Sequence, residues 1–432
     1  MKIRGLIKNR AVKNASWIIV CKVVQSILSF FISMLTARYL GPSNFGLINY
    51  AISIIAFLTP ITELGLSSTL VQELVTNESE DEGTIMGTAM LMSIVSAVLC
   101  MIGAISFVLI ANAGEKDTII VCSLYSIVLF FQALELIRFW YQAKYLAKYT
   151  SIISLIAYTF VSVYKFYLLA TGKSVYWFAI ANAIDYMIIA VSLIILFKKK
   201  TAFHFSFSYE LGRKMLAKSH HYILSSLMVT IFAQTDKIMI KNMIDDTNVG
   251  LYSAAVTCAG LTSFVFSAIC ESARPIVFSS FNENNEEFEK QITRLYSIII
   301  YLSLFQSVFM TVFSRFIIRI IYGTAFLVAG DVLKIIVWYT TFSYIGVVRN
   351  IWILANGLQK FLWKINLCGA LANVILNSLL IPHFGIFGAA VASLITQFFT
   401  NVIMGYIIKP LRTNNKLMVC SLNPRILISL IK

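Results

Sequence analysis

Three stretches of this sequence carry hydroxyl, amide and lysine side chains at intervals of three and four residues within otherwise apolar runs. Because residues three and four apart share one face of an α-helix, each set forms a polar stripe on a predicted helix. The stripes are Lys22, Ser26, Ser29, Ser33 and Thr36; Ser151, Ser154, Tyr158, Ser162 and Lys165; and Ser226, Thr230, Gln234, Lys237 and Lys241. Each stripe carries a cation, which favours binding of an anion such as a phosphate or diphosphate in a hydrated, positively charged cleft.

A further cation, Arg349, lies deep in another apolar run beside Asn350. Charges at mid-bilayer are costly, so those that are retained generally face a cavity or a partner. We therefore predict a substrate-binding set of five residues: Lys22, Lys165, Lys237, Lys241 and Arg349. Two alternatives stay open, because lysines near a span end can reach the lipid headgroups and because Lys165 has Asp185 as a potential ion-pair partner.

Two acidic residues, Glu63 and Asp236, are candidates for coupling transport to an ion gradient. A carboxyl group in a low-dielectric cleft has a raised proton affinity unless it is paired, so it can exchange a proton or bind sodium during a transport cycle. Glu63 follows Pro60, which predicts a kink in its helix. Asp236 adjoins Lys237, and this spacing equally fits a local ion pair.

The sequence has no pattern typical of an active site. Its four histidines lack metal-ligand spacing, and neither GxxxxGK[ST] nor GxGxxG occurs. We therefore expect no catalytic residues, no metal site and no cofactor. A membrane enzyme such as a polysaccharide polymerase or glycosyltransferase would require positioned carboxylates, arginine clusters or a metal. A purely structural membrane protein is the other non-transport alternative.

The composition identifies the elements that must position these side chains. Of 432 residues, 59% are hydrophobic and 13% charged, with mean hydropathy +0.81, whereas soluble domains carry about 25% charged residues. The chain is predicted to be an all-α, polytopic membrane protein with about 12 transmembrane helices. The predicted spans are 15–37, 45–67, 86–111, 118–138, 150–170, 175–197, 219–241, 250–272, 294–314, 329–354, 362–382 and 385–408.

The distribution of the basic residues predicts the orientation. Most of the 35 Lys and Arg residues fall in the two tails and in the loops after even-numbered spans. The positive-inside rule then places both termini in the cytoplasm. Topology and contact with anionic membrane lipids account for most of the net charge of +15, so we expect no nucleic-acid partner.

A basic segment at the centre divides the predicted spans into two sets of six. The predicted domains are an N-terminal six-helix bundle (1–197), a cytoplasmic linker (198–218), a C-terminal six-helix bundle (219–408) and a basic cytoplasmic tail (409–432). At an offset of 204, Asn44-Phe45-Gly46-Leu47 aligns with Asn248-Val249-Gly250-Leu251. A repeat of six spans predicts halves related by pseudo-two-fold symmetry about the membrane normal.

Several short motifs resemble those of polysaccharide and O-antigen flippases of the Wzx type. They occur in family order over about 35–395, and they are Ala37 to Gly46 (ARYLGPSNFG), Trp140 to Lys144 (WYQAK), Thr235 to Ile240 (TDKIMI), Val249 to Ala255 (VGLYSAA), Asn373, Asn377, Ile381-Pro382 and Gly385 to Ala390 (GIFGAA). The WYQAK stretch departs from the phenylalanine-glutamine-glycine form of many relatives. The resemblance implies the multidrug/oligosaccharidyl-lipid/polysaccharide exporter superfamily, with two six-helix bundles around a V-shaped central cleft.

The resemblance also implies a substrate, an undecaprenyl-diphosphate-linked oligosaccharide repeat unit carried to the periplasmic leaflet for O-antigen or capsule assembly. We expect a flippase of the bacterial cytoplasmic (inner) membrane that works by alternating access, is coupled to protons or sodium, and has a polysaccharide polymerase and a chain-length regulator as partners. A cation-coupled multidrug antiporter is the first alternative, although it would be expected to use acidic cleft residues. A lipid II flippase is the second.

Overall fold

A computed structural model describes residues 10–76, 81–201 and 204–426, which fold into helices with no strand among them. The predicted all-α membrane fold is therefore confirmed. The helices are α1 (Arg10–Thr62), α2 (Leu66–Thr76), α3 (Glu82–Ala111), α4 (Lys116–Glu135), α5 (Arg138–Ala143), α6 (Ala147–Ala170), α7 (Val175–Lys200), α8 (Tyr209–Met243), α9 (Asp246–Ala259), α10 (Ser263–Glu283), α11 (Asn285–Tyr322), α12 (Leu327–Ala355), α13 (Leu362–Phe398), α14 (Met404–Ile407) and α15 (Arg412–Cys420).

Ten helices in the described residues are long and apolar enough to cross a membrane, where the sequence predicts about twelve spans. The difference arises because the first two predicted spans share α1 and the last two share the continuous helical stretch that begins with α13. Each of these is interrupted at a glycine with positive φ, Gly41 (φ 70°) and Gly385 (φ 58°). Glycine lacks a Cβ atom and adopts this conformation without strain, so one residue suffices to break the helix. The number of crossings stays a prediction.

The second and eighth predicted spans are each broken into two helices. The second changes from α1 to α2 through Glu63, Leu64 and Gly65, where Leu64 and Gly65 both have positive φ. The eighth consists of α9 and α10, separated at 260–262. Gln306 on α11 donates to the Ala259 carbonyl at this second break (3.3 Å), which supplies a donor to a group that helix interruption leaves unpaired.

The chain divides into two compact units, Met1–Thr230 and Ile231–Lys432, and the division falls inside α8. The described part of the predicted linker 198–218 includes the end of α7, which reaches Lys200, and the start of α8 at Tyr209. Outside the described residues lie 1–9 and 77–80 of the predicted N-terminal bundle, 202–203 of the predicted linker and 427–432 of the predicted basic tail. The predicted domain bounds and the symmetry stay predictions.

In the first unit, the stretch that precedes α8 lies directly on α3. A Cβ atom added to Gly83 would lie 2.3 Å from the His204 carbonyl oxygen, and one added to Gly87 would lie 2.3 Å from that of Ser206. The Ser208 N–H donates to the Thr88 hydroxyl (3.0 Å). Two glycines one turn apart thus create a groove on α3 that admits a polypeptide backbone.

The WYQAK motif connects helices within the same unit. The Trp140 indole N–H donates to the Glu82 carboxylate (2.6 Å), and Lys144 forms an ion pair with that carboxylate (2.5 Å). The buried Tyr141 donates its hydroxyl to the Leu193 carbonyl (2.8 Å). The first and last side chains of the motif thus hold α5 against the start of α3, which gives the motif a structural role.

In the second unit, the α15 part of the predicted basic tail packs on the other helices. The side chains of Asn414 and Asn415 in α15 are buried. The Tyr296 hydroxyl donates to Asn414 (3.0 Å), and Asn415 donates to the Val402 carbonyl (2.8 Å). These hydrogen bonds satisfy one polar atom of each amide, while the Asn414 nitrogen and the Asn415 oxygen are buried without a partner.

Candidate functional site

The cation of the first polar stripe, Lys22, has an exposed side chain on α1. The stripe becomes less exposed along the helix, since Ser26 is exposed, Ser29 and Ser33 are half-buried and Thr36 is buried. Lys22 therefore lies where a ligand or a lipid headgroup could reach its ammonium group.

Lys165, the cation of the second stripe, is held by an amide. Its ammonium group donates to the side-chain oxygen of Asn182 on α7 (2.9 Å), and Asn182 donates in turn to the Tyr125 hydroxyl on α4 (2.5 Å). Asp185, one turn after Asn182, is near enough to attract this charge, but within the described residues Lys165 has no ion-pair partner. Lys165 therefore donates to a neutral amide, where the sequence also allowed an ion pair with Asp185.

The third stripe holds two lysines in different environments. Lys237 is half-buried and donates to the Gln234 side-chain oxygen one turn earlier (3.2 Å). Lys241 is buried and forms an ion pair with Asp246 at the start of α9 (2.7 Å). Lys241 is therefore already neutralised by a carboxylate, whereas the partner of Lys237 is again an amide.

Arg349 is buried, with 4% of its surface exposed, within the second unit. Its guanidinium donates to the Thr400 carbonyl (2.6 Å) and to the Asn350 side chain (3.1 Å). Thr400 belongs to a π-helical turn, Phe399–Ile403, and such a turn disrupts the regular pairing of backbone carbonyls. The Arg349 guanidinium thus lies among neutral acceptors, with its Nε buried without a hydrogen-bond partner. Its role in a cavity stays a prediction.

Glu63 is paired across the first unit. The Arg138 guanidinium donates to Glu63 (3.1 Å) and to Glu135 (3.1 Å), so that two carboxylates share one cation. Glu63 lies at the break between α1 and α2, and Arg138 begins α5 just after α4 ends. Glu135 is three residues before Arg138, a spacing that favours a local pair, but no spacing signal connects Arg138 with Glu63, 75 residues away.

Asp236 is the centre of a buried polar cluster in the second unit. One carboxylate oxygen accepts hydrogen bonds from Asn373 (3.1 Å) and Asn377 (2.6 Å). The other accepts from the hydroxyls of Tyr252 and Ser393. All five side chains are buried. We call these residues the Asp236 cluster.

The charges of the Asp236 cluster do not cancel. Four neutral donors surround the carboxylate, and in the described part of the chain no ion pair neutralises Asp236. The side-chain oxygen of Asn377 is buried without a hydrogen-bond partner. Carboxylate, amide and hydroxyl oxygens are the ligands that hard cations prefer. The cluster can therefore exchange a proton or hold a small cation.

Sequence reasoning identified Asp236 as a candidate site residue, but it placed Asn373, Asn377 and Tyr252 only in family motifs and did not include Ser393. Asn373 and Asn377 are four residues apart, and this spacing places two amides on one face of a helix. That pattern was the available signal for a polar site on α13. Tyr252 and Ser393 left no comparable signal, because isolated hydroxyls are common in membrane helices.

Comparisons with known proteins agree with this architecture. The model of the family described as polysaccharide biosynthesis protein matches residues 11–281, and the MatE family model matches residues 222–379. The capsular polysaccharide biosynthesis protein CapF of Staphylococcus aureus is 22% identical over 398 residues, covering 90% of this chain and 96% of the relative. The probable low-salt glycan biosynthesis flippase Agl15 of Haloferax volcanii is 26% identical over 201 residues, covering 46% of this chain and 42% of the relative.

Among solved structures, the lipid II flippase MurJ in an inward closed conformation superposes with a TM-score of 0.75 at 16% identity, covering 96% of this chain and 92% of that one. At 16% sequence identity, this similarity shows a shared fold. The Wzx-type resemblance is confirmed by the family models together with the CapF relative. The chain belongs to the polysaccharide biosynthesis protein family, within the multidrug/oligosaccharidyl-lipid/polysaccharide superfamily of membrane flippases and transporters, which are not enzymes.

Proposed function

We propose that this flippase moves an undecaprenyl-diphosphate-linked oligosaccharide repeat unit across the bacterial cytoplasmic membrane, for O-antigen or capsular polysaccharide assembly. The observation that carries the proposal is the pairing of Lys165 and Lys237 with amide oxygens. A hydrogen bond to an amide oxygen does not neutralise a lysine, and Asp185 and Asp236 attract these two charges without forming an ion pair with them. A positive charge in a membrane helix is costly without an anionic partner. The diphosphate of the substrate would supply that partner.

The proposed mechanism is alternating access through a cationic cleft. Lys22, Lys165 and Lys237 would contact the diphosphate, while the sugars occupy hydrated space and the polyprenyl chain stays in lipid. We leave Lys241 out of the proposed substrate contacts because Asp246 already pairs with it. We leave Arg349 out because it is buried within the second unit, with 4% of its surface exposed. The cationic side chains also favour an anionic substrate over the cationic drugs of multidrug antiporters.

Coupling to a proton or sodium gradient is assigned in this proposal to the Asp236 cluster. Within the described residues its carboxylate forms no ion pair, although the Lys237 charge is near enough to attract it. Binding of a cation there would compensate a buried charge. Glu63 is a weaker candidate because Arg138 already pairs with it. Both termini are proposed to be cytoplasmic, and a polysaccharide polymerase with its chain-length regulator would act on the delivered repeat unit.

Complementation tests the proposal in a strain that lacks its own flippase but makes a matching repeat unit. Lys165→Ala and Lys237→Ala should each reduce surface polysaccharide strongly at equal membrane levels. Lys290→Ala is the matched control, because Lys290 is exposed and paired with Glu287; it should behave like wild type.

Restoration by Lys165→Ala and Lys237→Ala would overturn the cationic contacts. Failure of well-expressed wild type with several cognate repeat units would overturn the flippase proposal and favour the multidrug antiporter.

A further inference from the structure

The non-helical stretch that precedes α8 lies on α3 and presents aromatic side chains to the outside. Its backbone passes over the glycine groove of α3, and the hydroxyl groups of Ser206 and Thr84 share a hydrogen bond (2.6 Å). Phe207 and Tyr209, in contrast, are 51% and 76% exposed. We call residues 204–209 the aromatic segment. Exposed aromatic rings are unfavourable in water, so an apolar environment is expected to cover them.

A ring contact helps to fix the aromatic segment in place. Phe205 stacks on the buried Phe197 of α7, with the ring centres 5.3 Å apart and the planes inclined by 13°. Phe197 in turn makes an edge-to-face contact with Trp140 of the WYQAK motif (4.9 Å). Together with the backbone contacts on α3, this stack holds Phe207 and Tyr209 at defined positions on the surface of the first unit.

Cationic side chains flank the aromatic segment on both sides in the sequence. Lys198 and Lys199 at the end of α7 are exposed, and so are Arg213 and Lys214 in the second turn of α8. Within the described residues none of the four takes part in an ion pair. We call these four residues the flanking cations, and their charges remain available to an anion.

Two carboxylates lie near the aromatic segment, but they do not balance the flanking cations. Glu210 directly follows Tyr209, and the Asp81 carboxylate lies beside the His204 backbone at the start of α3. Four positive charges against these two negative charges leave the surface cationic, which favours a partner with negative charge.

The place of the aromatic segment in the chain indicates that this partner is the membrane surface. The apolar stretch of α7 that could cross a membrane ends at Lys199, and that of α8 begins at Tyr209. A segment between two such ends lies at the level of the lipid headgroups, where aromatic rings are enriched. Basic side chains at this level are attracted to anionic headgroups, whereas a soluble protein partner would have to displace lipid to reach the rings.

We propose that the aromatic segment and the flanking cations form a binding surface for anionic phospholipids, with Phe207 and Tyr209 among the headgroups and the cations on the lipid phosphates. This surface is independent of the proposed function, because it binds resident lipids of the membrane and not the transported substrate. Its position would let the lipid composition of the membrane act on the start of α8.

Fluorescence quenching in nanodiscs tests the proposal on the full-length protein. Phe207→Cys is labelled with the fluorophore NBD after Cys368→Ala and Cys420→Ser remove the two cysteines that are not buried; Tyr209→Cys provides a second label position. The nanodiscs contain phosphatidylcholine and phosphatidylglycerol, and a nitroxide is placed on the acyl chain of one lipid or of the other. From quenching at increasing lipid fractions, phosphatidylglycerol should associate at least about tenfold more strongly than phosphatidylcholine.

Neutralisation of the flanking cations should remove this preference. Lys198→Gln with Lys199→Gln, and separately Arg213→Gln with Lys214→Gln, should each lower the preference for phosphatidylglycerol at least about fivefold, because each pair supplies two of the four cations. All four substitutions are at exposed positions, so the fold should be retained.

Lys116→Gln with Lys173→Gln is the matched control. Both lysines are exposed in the same unit, but they lie in loops after odd-numbered predicted spans, on the other side of the membrane; the preference should be unchanged. Equal quenching by the two lipids, or a preference that survives both pairs of substitutions at the flanking cations, would overturn the recognition of anionic lipid. No quenching by either lipid would show that Phe207 does not reach the membrane, which overturns the surface as a whole.

Discussion

Asn377 donates its side-chain N–H to the Asp236 carboxylate over 2.6 Å, although 141 residues separate them in the sequence. Asn373, Tyr252 and Ser393 complete the shell of donors. Hydrogen bonds from neutral groups stabilise a buried carboxylate without cancelling its charge. The cluster therefore combines a stable structure with a negative charge that a transported cation could neutralise.

Removal of this charge should uncouple transport. Asp236→Asn keeps the size of the side chain but removes the charge, so transport of a fluorescent lipid-linked oligosaccharide into proteoliposomes under a proton or sodium gradient should fall at least about tenfold. Asp245→Asn is the control, because asparagine caps the N-terminus of α9 as well as aspartate does. Gradient-driven transport at the wild-type rate in Asp236→Asn would exclude the coupling role.

Substitutions in the WYQAK motif should lower the stability of the protein more than they lower its transport rate. Trp140→Phe removes the indole N–H that Glu82 accepts and leaves that oxygen without its donor, which should lower the free energy of unfolding by about 1–2 kcal/mol. Thermal unfolding in detergent measures the change. Gln142→Ala, at an exposed position of the same motif, should have almost no effect. Equal losses in both variants would contradict a structural role of the Glu82 contact.

Close packing at Gly346 gives a second stability prediction. A Cβ atom there would lie 2.2 Å from the Asn401 side-chain oxygen, so Gly346→Ala should cost about 1–3 kcal/mol through overpacking beside the π-helical turn. Gly103→Ala is the matched control, because a Cβ at Gly103 meets nothing within 4 Å and alanine favours a helix. The midpoint of thermal unfolding should fall for the first variant and stay level or rise for the second.

Removal of Arg138 should lower the free energy of unfolding more than removal of either carboxylate that it binds. Arg138→Leu leaves Glu63 and Glu135 without their shared cation, which should lower the free energy of unfolding by about 2 kcal/mol, discounted for its partial exposure. Adding Glu63→Gln and Glu135→Gln to that variant should recover part of the loss, because it removes the uncompensated charges. A triple variant less stable than Arg138→Leu would show that hydrogen bonding, not charge, dominates this cluster.

The sequence by itself determined the class of fold and the helix faces. Apolar runs long enough to span a bilayer predict membrane helices, and spacings of three and four place Lys165 or Lys237 on a polar stripe, because both features depend only on neighbouring residues. Short motifs indicated the family, which the family models confirm. The WYQAK stretch counted as a family signature, but its structural role depends on Glu82, 58 residues before Trp140.

Only the tertiary structure decided the partners of these side chains. Lys165 donates to the side-chain oxygen of Asn182 and not to Asp185. Arg138 donates to Glu63, and the buried Arg349 donates to the Thr400 carbonyl. Local periodicity sets which face of a helix is polar, but the rotation and axial position of the neighbouring helix set which atoms meet across it. The rotation and axial position of each helix follow from the packing of the whole unit. No local sequence pattern encodes that packing, which also includes the π-helical turn and the close contacts at glycines.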